Sequence, residues 1–372
     1  MATRAAKLAL RGKALSDTGT EIGIVNNADA TAITIDASEN VGIGVVPYAN
    51  TLGKSLDFVG GGQLFGYGDG FYSTGNLTYD SAWKLKNTGS GSATLLDGMF
   101  KVYTTASGSA GATATLTERM RIDAAGNVGI GVVPEGHHNT HSALQVGGNG
   151  VWTSYKPQGA SGEMDFQHNA YYSQAHGGDR YISTDEATKY RQVSGAHQWY
   201  TAASGSADAA ISWQYGMQIN NDGIVTKPLQ PAVCARPTST GNNTISGGAD
   251  QTDLPFGNVL FNNGNHYSTS TSVFTAPVAG YYFTSLNGRW ETGSFVQNSY
   301  IRLFISLNNG NYNSTNIHVI NGNNEAWANY MGMSCSGIVY CSAGDTLRPK
   351  GGLSGGSADM HGESSFNVYL LG

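Results

Sequence analysis

The chain is organised around a stretch of eight residues that occurs twice. Residues 127–134 read NVGIGVVP, and residues 40–47 are identical. Such self-similarity indicates a duplicated structural unit. In the later copy Val128, Ile130 and Val132 alternate with glycine, and this period of two predicts a strand. Glycine on the opposite face permits another backbone to approach closely, so we predict a thin fibre in which several chains pack these aliphatic residues around one axis.

Composition limits the classes of function. The 372 residues include 52 glycines and 20 tyrosines, and only 12% are charged, which favours a folded, turn-rich, all-β protein. The net charge of −6 argues against general nucleic-acid binding. Three cysteines form no disulfide framework, and no apolar run approaches the roughly 18 residues of a membrane-spanning helix. We therefore expect neither a nucleic-acid partner nor membrane insertion.

Turn residues and internal offsets divide the first 228 residues. Residues 31–47 predict a hairpin, and related segments at 120–134 and 217–228 also end in proline. The segments around Tyr103 and Tyr200 match at an offset of 97 positions. We predict two copies of one β-rich unit, module 1 (residues 48–134) and module 2 (residues 135–228), after the hairpin.

A resemblance to a known class of protein follows from these motifs. Residues 119–134, RMRIDAAGNVGIGVVP, resemble a repeat of bacteriophage tail fibres. The resemblance covers about residues 31–228 and implies a homotrimeric, β-rich fibrous shaft. Residues 1–30 are basic before the first acid, Asp17, and we expect them either to be a frayed terminus or to attach the protein to a virion tail or adaptor protein.

The last 144 residues, 229–372, differ from the shaft in character. Short strands alternate with turns, which is typical of a sandwich or jelly roll. The segments FTAPVAGYYF (274–283), SAGDTL (342–347) and FNVYLLG (366–372) resemble the globular head of the complement first-component family, a jelly roll related to tumour necrosis factor. The resemblance implies a trimer without catalytic activity that binds partners on exposed loops. It also implies a buried central terminal strand, and we predict Tyr369 and Leu371 in the trimer core.

The Asn-rich part of this head suggests a site for receptor recognition. Aromatic rings beside amide side chains suit sugars, because the ring stacks while the amides hydrogen-bond to hydroxyl groups. We predict that Tyr312, Asn313, Asn324, Trp327 and Trp290 contact a bacterial surface glycan or protein.

Two further patterns bear on chemistry. His137, His138 and His141 follow the second proline, and they either form a polar loop or, in three copies around an axis, bind a metal ion. We expect no other cofactor. The pairs Glu163/Asp165 and Asp185/Glu186 have the residue types of a glycosidase, but such pairs are common on β proteins.

The sequence favours a homotrimeric bacteriophage tail fibre that recognises a host receptor through its C-terminal head. The alternative is a capsid head fibre or decoration protein with a mainly structural role, and a polysaccharide-degrading tail spike is a weaker hypothesis. Each of these would be made in the host cytoplasm and located on the virion.

Overall fold

The computed structural model describes residues 21–25, 31–157, 162–238, 244–246, 248–295, 299–311, 317–322 and 330–372. Throughout these ranges the regular secondary structure is β, as predicted, and they contain no helix that could cross a membrane. The described residues form two compact units. The first comprises those up to Gln214 together with Gln218–Ile224, and the second comprises Tyr215–Met217 and Val225–Gly372. The predicted domain boundaries and the fibrous shaft remain predictions.

The strands of the hairpin region and module 1 are β1 Glu21–Val25, β2 Thr31–Asp36, β3 Val41–Ile43, β4 Ser55–Phe58, β5 Gly62–Tyr67, β6 Gly70–Gly75, β7 Leu77–Tyr79, β8 Trp83–Leu85, β9 Ser92–Leu96, β10 Phe100–Thr104, β11 Thr117–Ile122 and β12 Val128–Ile130. Those of module 2 are β13 His141–Val146, β14 Gly150–Tyr155, β15 Glu163–His168, β16 Ala170–Ser173, β17 Gly178–Tyr181, β18 Asp185–Val193, β19 Ala196–Gly205, β20 Gln214–Ile219 and β21 Val225–Thr226. The head contains β22 Ala232–Arg236, β23 Thr244–Ser246, β24 Ala249–Asp253, β25 Asn258–Asn263, β26 Tyr267–Ser268, β27 Val273–Thr275, β28 Gly280–Phe295, β29 Tyr300–Leu307, β30 His318–Gly322, β31 Tyr330–Cys341, β32 Thr346–Leu353, β33 Gly356–Met360 and β34 Ser365–Leu370.

The same pair of hydrogen bonds occurs in each of the three turns that precede the repeated stretches. Asp36 Oδ1 accepts from the backbone N–H groups two and four residues later, both at 2.9 Å. Asp123 Oδ1 does the same at 2.9 and 2.8 Å, and Asn220 Oδ1 at 3.0 and 2.9 Å. A short side chain that accepts from its own backbone fixes the turn, which is why Asp or Asn occupies this position.

The repeated glycine has a different neighbour from the one predicted. A Cβ atom on Gly129 would lie 2.3 Å from the carbonyl oxygen of Val132, and one on Gly42 would lie 2.0 Å from that of Val45. The close backbone therefore belongs to the same chain, which folds back after the strand. The strand itself ends at Ile130, so Val132 lies outside it, contrary to the prediction. Ile130 is 43% exposed in the single chain, and the packing of Val128, Ile130 and Val132 around an axis remains a prediction.

The strand pairings of module 1 recur in module 2. β3 pairs in parallel with β4, and the order β4, β5, β6, β9, β10 continues antiparallel. β12 pairs in parallel with β13, and the order β13, β14, β15, β18, β19 is again antiparallel. A two-stranded arm, β7–β8 or β16–β17, extends from each series.

These pairings assign equivalent positions without reference to side-chain identity. In module 1 one row across four strands contains Gln63, Thr74, Ala93 and Tyr103. The corresponding row in module 2 contains Val151, Gln167, Lys189 and Tyr200. The two copies thus share a backbone arrangement while differing in what they bury.

The head is a two-sheet sandwich. One sheet has the order β23-β33-β28-β34-β22-β25 with β31 also paired to β28, and the other has the order β26-β27-β32-β29-β30 with β24 paired to β32. A single buried cluster, which includes Phe256, Phe274, Tyr282, Trp290 and Phe366, forms the core.

The terminal strand β34 lies centrally, between β28 and β22, as predicted. Its burial alternates, however, so that Val368 and Leu370 face the core while Tyr369 and Leu371 are 45% and 47% exposed. Cys335 and Cys341 are buried free thiols of β31, and burial raises their pKa values to about 12 and 11.

Candidate functional site

The predicted receptor contacts are only in part described. Trp290 was predicted wrongly, because its side chain is 1% exposed and packs in the head core. Leu286, Gly288 and Trp290 occupy every second position along β28, and all three face inward. Trp290 is therefore not available to a receptor. Tyr312, Asn313, Asn324 and Trp327 lie outside the described residues.

The three histidines do not converge within one chain. His137 is 4% exposed and meets the ring of Tyr171 edge-on at 5.9 Å. Burial lowers its pKa to about 4, so the ring is neutral at pH 7. The rings of His138 and His141 are 6.4 Å apart, and His141 Nε2 faces Glu163 Oε1 at 3.3 Å. Among the described residues no group of three or more His, Cys, Asp or Glu side chains could hold a metal ion. A metal on a threefold axis remains a prediction.

His138 and His141 instead belong to a cleft in module 2. This module 2 cleft has a volume of about 890 Å³ and combines aromatic with charged side chains. It is lined by His138, Thr140, His141, Tyr155, Glu163, Tyr172, Asp179, Lys189, Arg191, Tyr200 and Trp213. Strands β13 to β19 supply most of these residues, so the sheet and its two-stranded arm together position them.

Lys189 is the buried cation of the cleft. Its Nζ lies 2.7 Å from Asp179 Oδ2 and 3.9 Å from Asp165 Oδ2, with 3% of the side chain exposed. The same Asp179 oxygen accepts from Trp213 Nε1 at 2.7 Å. The ammonium group also lies over the rings of Trp213 and Tyr200, 4.6 and 5.4 Å from their centroids. These contacts hold Trp213 against the charged pair.

Arg191 organises the other half of the charge cluster. It donates two hydrogen bonds to Asp165, at 2.8 and 2.7 Å, and its Nη1 lies 2.9 Å from Glu163 Oε2. Such a bidentate pair fixes the plane of both groups. The hydrogen bond to His141 lowers the pKa of Glu163, burial opposes this, and the charge of Arg191 lowers it further.

The geometry of Glu163 and Asp165 does not suit a glycosidase acid. A general acid needs a raised pKa, so that it carries a proton at neutral pH. The pKa of Glu163 is lowered instead, and both carboxylates form ion pairs with the same guanidinium group. Asp185 and Glu186 are exposed at the start of β18.

The cleft walls are partly exposed aromatic rings. Tyr172 lies 5.1 Å from His141 and 5.0 Å from His138, measured between ring centroids, and Tyr155 lies 5.4 Å from His141. Tyr155, Tyr172, Tyr200 and Trp213 are all intermediate in exposure. Aromatic faces beside fixed, charged hydrogen-bonding groups can bind a polar ligand that also has an apolar face.

The sequence did not predict most of the residues that form this cleft. Only Glu163, Asp165, His138 and His141 were named, and in other roles. Lys189 and Arg191 alternate on β18, which was a usable signal. Asp179, the partner of Lys189, lies on β17 and is found only from strand register.

The head exposes an apolar face on its larger sheet. Tyr281 pairs with Tyr340 across β28 and β31, and Phe283 pairs with both Ile338 and Tyr369. These side chains and Leu371 are between 41% and 62% exposed. Further along β28 and β34 the same face becomes polar. There the side-chain amides of Asn287 and Asn367 donate hydrogen bonds to the hydroxyl groups of Ser365 and Ser285, each at 3.1 Å. We call the surface formed by Tyr281, Phe283, Ile338, Tyr340, Tyr369 and Leu371 the apolar head face.

Comparison with known proteins gives the class of the head. Residues 239–325 match the C1q domain family. Among solved structures the chain is similar to the globular domain of the zebrafish complement 1qA protein, with 13% identity over 38% of this chain and 98% of that one, at a TM-score of 0.28. It is also similar to murine APRIL, with 12% identity over 38% of this chain and 99% of that one, at a TM-score of 0.29. A search of curated proteins returned no match. Residues 239–325 thus resemble a C1q domain, and the jelly-roll class predicted for the head is confirmed.

Proposed function

We propose that this protein is a homotrimeric bacteriophage tail fibre whose C-terminal head binds a receptor on the bacterial surface. The resemblance of residues 119–134 to tail-fibre repeats and the C1q match of the head both favour this function. The N-terminal segment would attach to a virion tail or adaptor protein, and the protein itself would be non-enzymatic.

The apolar head face is the observation that carries the proposed trimer. Monomeric proteins rarely expose contiguous apolar patches of this kind, and such patches mark interaction surfaces. Tyr281, Phe283, Ile338, Tyr340, Tyr369 and Leu371 are all exposed in one chain. Tyr369 and Leu371, predicted to lie in the trimer core, are on this face. Three heads that met through it would bury these side chains together.

Trimeric assembly also favours attachment. Three identical sites on one particle raise the effective concentration of each for a surface that carries many receptors, so weak single contacts become strong avidity. The Asn-rich segments with Tyr312, Asn313, Asn324 and Trp327 remain our proposed receptor contacts, with a glycan as the preferred ligand.

The trimer is tested by sedimentation of the full chain. We expect wild type to sediment at three times the 39.0 kDa of one chain. Ile338→Asp places a charge on the apolar head face and should yield monomers. Ile320→Asp is the matched control, because Ile320 is 48% exposed on the other sheet, and this variant should remain trimeric. A monomeric wild type, or a trimeric Ile338→Asp, contradicts the proposal.

The role on the virion needs a separate measurement. Gold-labelled antibody against this protein should mark the tail, and purified protein should reduce phage adsorption to host cells. A label on the capsid, with no effect on adsorption, would instead favour the head-fibre function. The lowered pKa of Glu163 and the pairing of both Glu163 and Asp165 with Arg191 disfavour a polysaccharide-degrading spike.

A further inference from the structure

We propose that the module 2 cleft is a binding site for a neutral glycan, distinct from the receptor site on the head. In module 1 the same register positions carry uncharged residues. The cross-strand pair Asp165–Arg191 corresponds to Tyr72–Leu95. Likewise Lys189 corresponds to Ala93, and Asp179 corresponds to Trp83.

The fold therefore does not require the charges. Burying ions is costly, and replacing a buried ion cluster by well-packed apolar residues is often neutral or stabilising. Module 1 shows such a filling in this backbone, where the rings of Phe65, Tyr72 and Trp83 pack together at 4.9–6.2 Å. A charge cluster on a scaffold that folds without it indicates a role other than stability.

The charge balance of the cleft selects against anions. Among the described residues that line the cleft, the strong cations are Lys189 and Arg191, and both are already paired with carboxylates of Glu163, Asp165 or Asp179. A sulfate, phosphate or uronate would meet no cation without a carboxylate beside it. A neutral ligand with several hydroxyl groups can use both the carboxylates as acceptors and the guanidinium as a donor.

The accessible groups are arranged for sugar rings. Glu163 and Arg191 keep 24% and 22% of their side chains exposed, so their free edges reach a ligand. Asp165 and Lys189, at 4% and 3%, lie behind them and act as positioning residues. Trp213 and Tyr172 supply apolar ring faces for the C–H face of a sugar. The volume of about 890 Å³ lies within the roughly 300–1,000 Å³ of ligand-binding sites.

The test uses the full-length protein on an array of purified bacterial surface polysaccharides with neutral and with anionic repeating units. We expect binding to one or more neutral polysaccharides. Trp213→Ala should weaken this binding at least tenfold. The conservative Glu163→Gln, which keeps the side-chain shape, should weaken it several-fold. Leu116→Ala is the matched control, because Leu116 is the module 1 counterpart of Trp213. The backbone N–H groups two residues earlier, of Ala114 and Ile211, donate to the equivalent arm residues Trp83 and Asp179, and this aligns the two segments. It should leave binding unchanged.

Every other result overturns the proposal. Binding only to anionic polysaccharides, or to none, contradicts the ligand class. Binding that survives both cleft variants places the site elsewhere and leaves the proposed function of the head intact. A change of oligomeric state in Glu163→Gln, measured by sedimentation, would identify the cleft as a contact between copies of the chain.

Discussion

Modules 1 and 2 have the same strand pairings and different interiors. In both copies an Asn with positive φ, Asn76 at 58° and Asn169 at 56°, joins the sheet to its arm. Each donates from Nδ2 to two backbone carbonyls at 3.0 Å and accepts one backbone N–H, at 2.7 and 2.8 Å. The polar framework is therefore common to the copies.

The lining is where they diverge. Module 1 buries one ion pair, Lys86–Asp57 at 2.7 Å with both side chains fully buried. Module 2 has Gln145 and Ile182 at these positions, and places its charges in the cleft instead. A backbone fixed by turns and amide hydrogen bonds thus tolerates two interiors, of which the module 2 interior forms a polar cleft of about 890 Å³.

The largest effect should come from breaking the module 1 ion pair. Lys86→Met leaves Asp57 buried without its cation and should lower the free energy of unfolding by about 3–5 kcal/mol. The double variant Asp57→Gln with Lys86→Ile copies module 2 and should recover most of this loss. Denaturant titration of the full chain measures both. A loss below about 1 kcal/mol in the single variant would contradict the comparison.

A second difference concerns pH. His137 corresponds to Asn50. The next residue in each module, His138 or Thr51, donates its backbone N–H to the carbonyl of the equivalent arm tyrosine, Tyr172 or Tyr79. Because burial lowers the folded-state pKa of His137 to about 4, the unfolded chain, at about 6.5, takes up a proton first. Stability from this residue is complete above pH 6.5 and is lost as the pH falls toward 4, by up to about 3 kcal/mol.

His137→Asn, which copies module 1, should flatten this part of the pH dependence. Unfolding free energies of both proteins at pH 7 and pH 5 provide the test. If wild type and variant change equally between these values, His137 is not the cause.

The smallest expected effect is a difference in stability between alanine variants of two equivalent glycines, Gly205 in module 2 and Gly108 in module 1. A Cβ on Gly205 would lie 2.3 Å from Cε2 of Tyr181, whereas one on Gly108 would lie 2.9 Å from Cδ1 of Leu85. A ring within a packed arm cannot move as a leucine methyl can. Gly205→Ala should therefore cost about 1–3 kcal/mol, and Gly108→Ala less than about 1 kcal/mol. Equal costs from thermal unfolding would show that the two arms are equally rigid.

These contrasts also explain what sequence could predict. The duplicated turn and the all-β class depend on local patterns that the sequence carries. The central position of β34 was predicted from the resemblance to the complement globular head and not from a local pattern. The cleft depends on register between β15, β17 and β18, which no local pattern encodes. Trp290 was misassigned because its neighbours in sequence are polar while its strand turns it inward. The glycine alternation predicted a close backbone, but the fold-back of the same chain supplies it.

Hydroxyl-radical footprinting of the full-length protein tests the central claim most directly, because it reports on both modules in one sample. With a neutral polysaccharide selected on the array, we predict reduced oxidation of Trp213 and Tyr172, while their module 1 counterparts Leu116 and Tyr79 keep their reactivity. Unchanged oxidation of Trp213 and Tyr172, or equal protection of both modules, would contradict the claim that module 2 alone was opened into a ligand site.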